Sequence, residues 1–100
     1  LYGGDYNTPD GTPVRDYVHV NEICHSIQKA IETPANSLQN LGHGKGHTVR
    51  EMVDTFKLVN NCDFAVNYCQ RRAGDLEYSV LNNPSTYMES VYTLSQLLKV

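Results

Sequence analysis

The chain has 100 residues, which is near the usual size of one domain and allows only a modest hydrophobic core. Its formal net charge of -3 argues against a surface built to hold nucleic acid or an anionic membrane. The apolar stretches are short and no charged-then-apolar leader opens the chain, so we expect a cytoplasmic protein with no membrane or nucleic-acid partner.

The cysteines and histidines form no recognisable disulfide or metal pattern. Cys24, Cys62 and Cys69 are odd in number and lack CxxC spacing, which favours free thiols. His43 and His47 are four residues apart, but they lie in a glycine-rich turn, where that spacing does not place both rings on one face. We therefore predict that the chain has no metal site.

The first third of the chain predicts a loop, a strand and a helix. Turn-forming residues fill positions 3–13 and indicate a long irregular loop, and residues 15–20 alternate as a strand does. We expect Asn21 to cap the helix and Pro34 to end it. The residues predicted to form its buried face are Ile23, Ile27, Ala30 and Ile31.

The middle third predicts a strand, a glycine-rich turn and a second helix. Residues 37–41 favour a strand, and the turn follows at 42–47. Thr48 and Glu51 match a capping box, which predicts a helix start at this point. The apolar residues at helical spacing behind it are Val49, Met52, Val53, Phe56 and Val59.

The last third predicts a strand at 64–69, a charged turn at 70–75 and two helical segments. The first segment would begin at Asn83 and Pro84, and the second is a short final helix indicated by Leu94, Leu97 and Leu98. Alternating extended and helical segments are typical of an α/β fold. Three strands are too few for a doubly wound sheet, so we interpret the chain as a cap that packs against another domain.

The strand, glycine-rich turn and helix around residue 44 only superficially resemble a phosphate-binding loop. Glycines at 42, 44 and 46 give G-x-G-x-G, whereas the dinucleotide fingerprint requires its third glycine one residue later. A P-loop requires Ser or Thr after its lysine, but Gly46 follows Lys45. A structural turn is the favoured interpretation. No tyrosine has a lysine four residues on, so the general-base pair of short-chain dehydrogenases is also missing.

Two arginine clusters are the remaining candidates for chemistry. Arg15 follows the long loop, and Arg71 and Arg72 precede Gly74 and Asp75. Guanidinium groups match phosphate oxygens in a bidentate way, so two of them could hold a pyrophosphate. An arginine beside an aspartate is more often a solvated or locally paired charge. From the residues alone, the chain is an anion-binding α/β fragment.

Three motifs resemble those of the UDP-glucose 4-epimerases, in order and spacing. Residues 2–20, YGGDYNTPDGTPVRDYVHV, are similar to the long loop and strand of that family almost throughout. QNLG at 39–42, with Gly44, Gly46 and Val49, is similar to its second block, and RRAGD at 71–75 to its third. Together the motifs cover the chain to about residue 75.

The resemblance implies a substrate-binding role for six residues. Arg15 matches the arginine at the phosphate and ribose region of the nucleotide, Arg72 the arginine on the diphosphate, and Asp75 the acid that binds the ribose. Leu1 and Tyr2 fall where the family lines its uracil pocket, and Tyr17 lies in the same binding strand. Asp16 and His19 match the motif as supports of the strand.

The resemblance also implies the whole enzyme. The chain would be the C-terminal substrate-binding subdomain (residues 1–100) of an extended short-chain dehydrogenase/reductase fold, without its Rossmann domain. That missing domain would bind NAD and carry the catalytic residues, none of which is in this chain. The full-length protein would interconvert UDP-glucose and UDP-galactose in galactose metabolism, as a homodimer, whereas this chain alone would be inactive.

Two departures and two alternatives keep the function open. Ser79 stands where the family often has a tyrosine near the sugar, with Tyr78 one place early, and Asn82 stands where an aspartate is common. The preferred UDP-sugar is therefore open. The alternatives are a fragment of a related nucleotide-sugar dehydratase or decarboxylase, and a non-catalytic nucleotide-sugar-binding module.

Overall fold

The computed structural model describes residues 1–33, 36, 38–82 and 92–100 and has an α/β fold, as predicted. A small sheet has the strand order β2-β1-β3, in which β1 is antiparallel to β2 and parallel to β3. In chain order the elements are β1 (Val14–Arg15), α1 (Val20–Glu32), β2 (His47–Thr48), α2 (Val49–Val59), β3 (Tyr78–Ser79) and α3 (Leu94–Leu98).

The strands are shorter than predicted and two of them lie elsewhere. β1 ends at Arg15, so the strand expected over 15–20 is wrong beyond its first residue. The described residues 38–41 form no strand, and in 64–69 there is only a single bridge, between Cys69 and Tyr2. β-branched and aromatic residues favour an extended backbone, but a ladder also needs a partner strand in register, which the local pattern does not reveal.

The N-cap of helix α1 lies two residues before the predicted cap at Asn21. Its N-cap is His19, whose Nδ1 accepts a hydrogen bond from the backbone N–H of Asn21 at 3.0 Å. The Glu22 carboxylate accepts one from the His19 N–H at 3.1 Å. The imidazole nitrogen thus serves as the acceptor that Asn, Asp, Ser or Thr usually supplies at this position.

The buried face of α1 also differs from the prediction. Ile27 is 52% exposed and Ile31 is 79% exposed, and Ile23 and Ala30 are exposed as well. Glu22 and Ser26 are buried in their place. The reason is a polar contact: the Glu22 carboxylate lies 3.0 Å from Nε2 of His43. The apolar stripe of α1 is consequently accessible to another polypeptide segment.

Helices α2 and α3 follow the predictions closely. Thr48 Oγ1 accepts a bond from the Glu51 N–H at 3.0 Å, and Glu51 accepts one from the Thr48 N–H at 3.4 Å, which confirms the capping box. The apolar face of α2 is half-buried, and Asn60 just after it donates to the carbonyl of Leu98 at 2.8 Å. The predicted helix start at Asn83 and Pro84 lies outside the described residues. In the described ranges, the helices are too short and too polar to span a bilayer.

The loop at 3–13 is tied to α2 by Asp10. Its carboxylate accepts hydrogen bonds from the N–H of Thr12 at 2.9 Å, from the Thr12 hydroxyl at 2.6 Å and from the Thr48 hydroxyl at 2.5 Å. Tyr6, Thr12 and Val14 are buried beside it. The loop is therefore an ordered platform that leads directly into β1.

This network predicts an acid-sensitive contribution to stability. Partial burial works to raise the pKa of Asp10, but hydrogen bonds from Thr12 and Thr48 outweigh burial and lower it. A carboxyl whose pKa is lower in the folded than in the unfolded state stabilises the fold above the unfolded value of 3.8. That contribution disappears as pH falls through the lower, folded value. We expect Asp10→Asn to flatten the acid side of the stability profile in urea unfolding.

The exposed carboxylate of Asp63 provides the matched control. Its pKa is lowered chiefly by a hydrogen bond from Lys57, at 3.1 Å, so Asp63→Asn also removes a charge with a lowered pKa. An exposed ion pair is screened by salt, whereas the Asp10 bonds come from neutral hydroxyl and amide groups. High salt should abolish the change in acid stability caused by Asp63→Asn and preserve the change caused by Asp10→Asn. An Asp10→Asn profile identical to that of the parent chain would refute the prediction.

Candidate functional site

A cleft of about 260 Å³ lies where the start of the chain, β1 and the turn at 72–75 meet. Its lining contains all six residues predicted to bind substrate, although they come from three separate parts of the sequence. The lining residues are Leu1, Tyr2, Pro13, Arg15, Tyr17, Val49, Arg72 and Asp75. The fold thus brings both arginines and the acid to one concave surface.

Backbone hydrogen bonds hold the first residues of the chain in the cleft. The carbonyl of Leu1 accepts from the N–H of Cys69 at 2.6 Å, and the N–H of Gly3 donates to the carbonyl of Cys69 at 2.9 Å. Gly3 has a φ of 97°, and a Cβ on it would lie 2.5 Å from the ring of Tyr6. This pairing sets Tyr2 beside the turn that begins at Arg72.

The Arg72 side chain extends over the cleft between an aromatic ring and a carboxylate. Its Nε lies 2.8 Å from Oδ2 of Asp75, and its guanidinium lies 4.5 Å from the ring centroid of Tyr2. The hydrogen bond to Asp75 raises the pKa of Arg72, so its charge is permanent. Gly74 shapes the turn, with a φ of 84° that favours glycine. The side chain is 61% exposed and therefore accessible to an anion.

The neighbouring Arg71 points away from the cleft. Its Nε lies 2.8 Å from Oδ1 of Asp5, a second N–H donates to the Asp5 carbonyl at 2.8 Å, and the guanidinium lies 4.0 Å from the ring centroid of Tyr6. It is not among the cleft-lining residues. The two adjacent arginines therefore have different surroundings: Arg71 fastens the opening loop, and Arg72 faces the cleft.

Arg15 and Tyr17 form the β1 side of the cleft. Arg15 donates to the carbonyl of Val14 at 2.8 Å and to that of Leu76 at 2.6 Å, which uses two of the five N–H groups of a guanidinium. Burial raises the pKa of the Tyr17 phenol, and the charge of Arg15 partly offsets this. Tyr17 is therefore a neutral hydroxyl near a fixed cation.

The chain is similar to known proteins of one enzyme family. No protein-family model matches the chain. The chain is 40% identical over 80 residues to the UDP-glucose 4-epimerase of Haemophilus influenzae, and the match covers 76% of this chain and 24% of that protein. The chain is a homologue of part of the UDP-glucose 4-epimerases. It spans about a quarter of the length of the curated epimerases it matches.

The fold agrees with solved UDP-glucose 4-epimerases. The structure from Bifidobacterium longum in complex with NAD+ and UDP has a TM-score of 0.86 and 27% identity, and it aligns with 98% of this chain over 31% of its own. The structure from Stenotrophomonas maltophila with NAD and formylated UDP-arabinopyranose has a TM-score of 0.84 and 28% identity, with coverages of 98% and 32%. The prediction of a small α/β portion of the epimerase fold is confirmed.

Two further residues, Pro13 and Val49, line the cleft and are not among the predicted ones. Pro13 was detectable, because it comes two residues before Arg15 and an extended backbone places residues i and i+2 on the same face. The helical spacing places Val49 on the apolar face of α2. The Val49 N–H donates to the Pro13 carbonyl at 3.0 Å, a contact between distant parts of the chain that no local pattern indicates.

A larger cavity of about 560 Å³ lies beyond Tyr17, which lines both cavities. Its charged and titratable lining includes His43, Lys45, His47 and Glu51. The smaller cleft is lined by Arg15 and Arg72, whose guanidinium groups have the geometry to bind phosphate oxygens. The larger cavity contains neither of these arginines.

Proposed function

We propose that this chain is the UDP-sugar-binding portion of an NAD-dependent UDP-glucose 4-epimerase, with residues 1–100 as its C-terminal nucleotide-sugar-binding region. The observation that carries the proposal is the convergence of Arg15, Arg72 and Asp75 on one cleft. The two solved relatives described above were crystallised with UDP or a UDP-sugar. The UDP part is common to those ligands, whereas the sugar is not.

Each side chain in the cleft suits a different part of UDP. The exposed guanidinium of Arg72 can form two parallel hydrogen bonds with phosphate oxygens, and Arg15 adds a second fixed cation. Asp75 is an acceptor for the ribose hydroxyls, and Tyr2 offers an aromatic face for the uracil ring. Holding the UDP firmly leaves the sugar free to turn, which a 4-epimerase requires, since hydride must leave and return on opposite faces of C4.

The residues described in this chain do not fit NAD. The glycine-rich loop at 42–46 directs its His43 and Gly44 amides to Asp16, so they are not arranged around a pyrophosphate. We propose that the Rossmann domain of the complete enzyme binds NAD and also supplies the catalytic base. The chemistry that NAD would supply there is reversible hydride transfer at C4 of the sugar. The contribution of this chain is to bind and orient the substrate.

We further propose that the complete enzyme interconverts UDP-glucose and UDP-galactose in galactose metabolism, as a cytoplasmic homodimer. The three cysteines are free thiols in the structure, which is typical of a reducing compartment.

The register between β1 and β3 pairs Arg15 with Ser79, so Ser79 lies on the sheet face that carries Arg15. Ser79 is therefore a neighbour of Arg15 in the sheet, but it does not itself line the cleft.

A chimaera tests the proposed function. The chain would replace the matching portion of the Haemophilus influenzae epimerase, and UDP binding and epimerisation of UDP-galactose would be measured with NAD present. We expect both activities, and expect both to be weakened by Arg72→Ala within the chimaera. A folded chimaera that binds NAD but neither binds UDP nor epimerises the sugar would refute the proposal.

A further inference from the structure

The carboxylate of Asp16 collects backbone N–H groups from two distant parts of the chain. Oδ1 accepts from the N–H of His43 at 2.9 Å, and Oδ2 accepts from the N–H of Gly44 at 2.9 Å and from that of Leu81 at 3.3 Å. A carboxylate has about four lone-pair sites, so three donors nearly saturate it. Asp16 is thus an internal anion that joins the glycine-rich loop to the segment after β3.

The glycine-rich loop is shaped around this carboxylate. A Cβ on Gly42 would lie 2.7 Å from Oδ2 of Asp16 and 2.5 Å from Cδ1 of Leu81, so only glycine permits the close approach. Gly44 has a φ of 73°, which turns its N–H toward Asp16. The glycine spacing at 42–46, which superficially resembles a phosphate-binding loop, is therefore explained by the Asp16 carboxylate, an anion within the protein.

Asp16 comes immediately after β1 and accepts a hydrogen bond from the segment that follows β3. Arg15 and Tyr17 line the cleft on either side of Asp16 in sequence. β3 comes shortly after Asp75, and Leu81 comes two residues after β3. The Asp16 to Leu81 bond therefore fastens β3 to the end of β1, beyond the point where Arg15 pairs with Ser79.

We propose that Asp16 is a positioning residue that fixes Arg15 relative to the turn carrying Arg72 and Asp75, so that both arginines can engage one diphosphate. The inference rests on the proposed function, because it concerns the same UDP site. Asp16 does not itself line the cleft. Its effect on affinity acts through the spacing of the two cationic groups, and bidentate contacts depend strongly on that spacing.

The test compares UDP with UMP in calorimetric titrations of Asp16→Asn, under conditions in which circular dichroism shows the variant folded. Asparagine keeps the shape but turns an NH₂ group toward backbone N–H donors. We expect UDP affinity to fall about tenfold and UMP affinity to change much less, because only UDP needs both arginines at once. Asp16→Ser, which removes the carboxylate without opposing the donors, is the second variant and should behave alike.

Glu22→Gln is the matched control. Glu22 is a buried carboxylate that contacts His43 in the same loop, but it does not line the cleft. The Glu22→Gln substitution should lower the melting temperature and leave UDP affinity unchanged.

Unchanged UDP affinity in folded Asp16 variants, or equal losses for UDP and UMP, would overturn the Asp16 proposal alone. Failure of both Asp16 variants to fold while Glu22→Gln folds would also overturn it, in favour of a purely structural role. Absence of UDP binding by the folded parent chain would overturn the proposed function as well.

Discussion

Arg72→Ala is expected to weaken UDP binding by about 10- to 100-fold, the range for loss of a charge-assisted contact. The guanidinium is exposed over the cleft, and Asp75 and the Tyr2 ring already hold it in place. A diphosphate would therefore meet a preorganised fork with little further ordering. Isothermal titration calorimetry of UDP into the parent chain and the variant measures the difference directly.

Arg71→Ala is the matched control for this prediction. It removes the same side chain at the adjacent position, but Arg71 binds Asp5 and lies over Tyr6 instead of lining the cleft. We expect it to lower stability modestly and to change UDP affinity less than twofold, as for a contact outside the site. Equal losses of affinity in the two variants would mean that general positive charge, and not the position of Arg72, attracts the nucleotide.

Gly11→Ala should lower the free energy of unfolding by about 3 kcal/mol, since strained backbone and a steric clash act together. Gly11 has a φ of 84°, and a Cβ on it would overlap the backbone carbonyl oxygen of Gly4. A backbone oxygen cannot move aside as a flexible side chain can. The Gly11 carbonyl also accepts from the Tyr6 N–H at 2.9 Å, so displacement would disturb a buried aromatic residue. Urea unfolding followed by circular dichroism gives the difference.

Gly74→Ala separates the two causes. Gly74 has the same φ of 84°, but a Cβ there would meet nothing within 4 Å. It should therefore cost only the conformational strain, about 1–2 kcal/mol. If Gly11→Ala were no more destabilising than Gly74→Ala, the close approach to Gly4 would have no energetic consequence and the loop would be looser than the structure indicates.

The helices could be predicted where their signals are local. Thr48 and Glu51 lie three residues apart and reach each other within one turn, so the start of α2 followed from the sequence. The start of α1 is also local, but it was not predicted because its cap is His19, whose imidazole is not among the usual N-cap acceptors. The buried face of α1 did not follow, because it depends on the contact between Glu22 and His43, 21 residues apart. An amphipathic pattern identifies an apolar face, but it does not reveal whether that face is covered.

The strand pairs and the long-range contacts around the site could not be predicted from the local sequence. A ladder needs partners from distant segments, and the actual pairs of β1 are β2 and β3, which no propensity pattern had indicated. Six of the eight cleft residues could be predicted because the family resemblance points to them individually. The opposite surroundings of Arg71 and Arg72, and the role of Asp16 as an internal anion, depend on tertiary contacts that adjacent residues do not share.

The most direct test of the account is an NMR titration of the isotopically labelled chain with UDP. Perturbed signals should concentrate on Tyr2, Arg15, Tyr17, Arg72 and Asp75, and the side-chain Nε–H signal of Arg72 should shift more than that of Arg71. That result would locate the nucleotide in the proposed cleft. Perturbations centred on the larger cavity around His43, Lys45 and His47, or their complete absence in a folded chain, would contradict the assignment of this cleft as the UDP site.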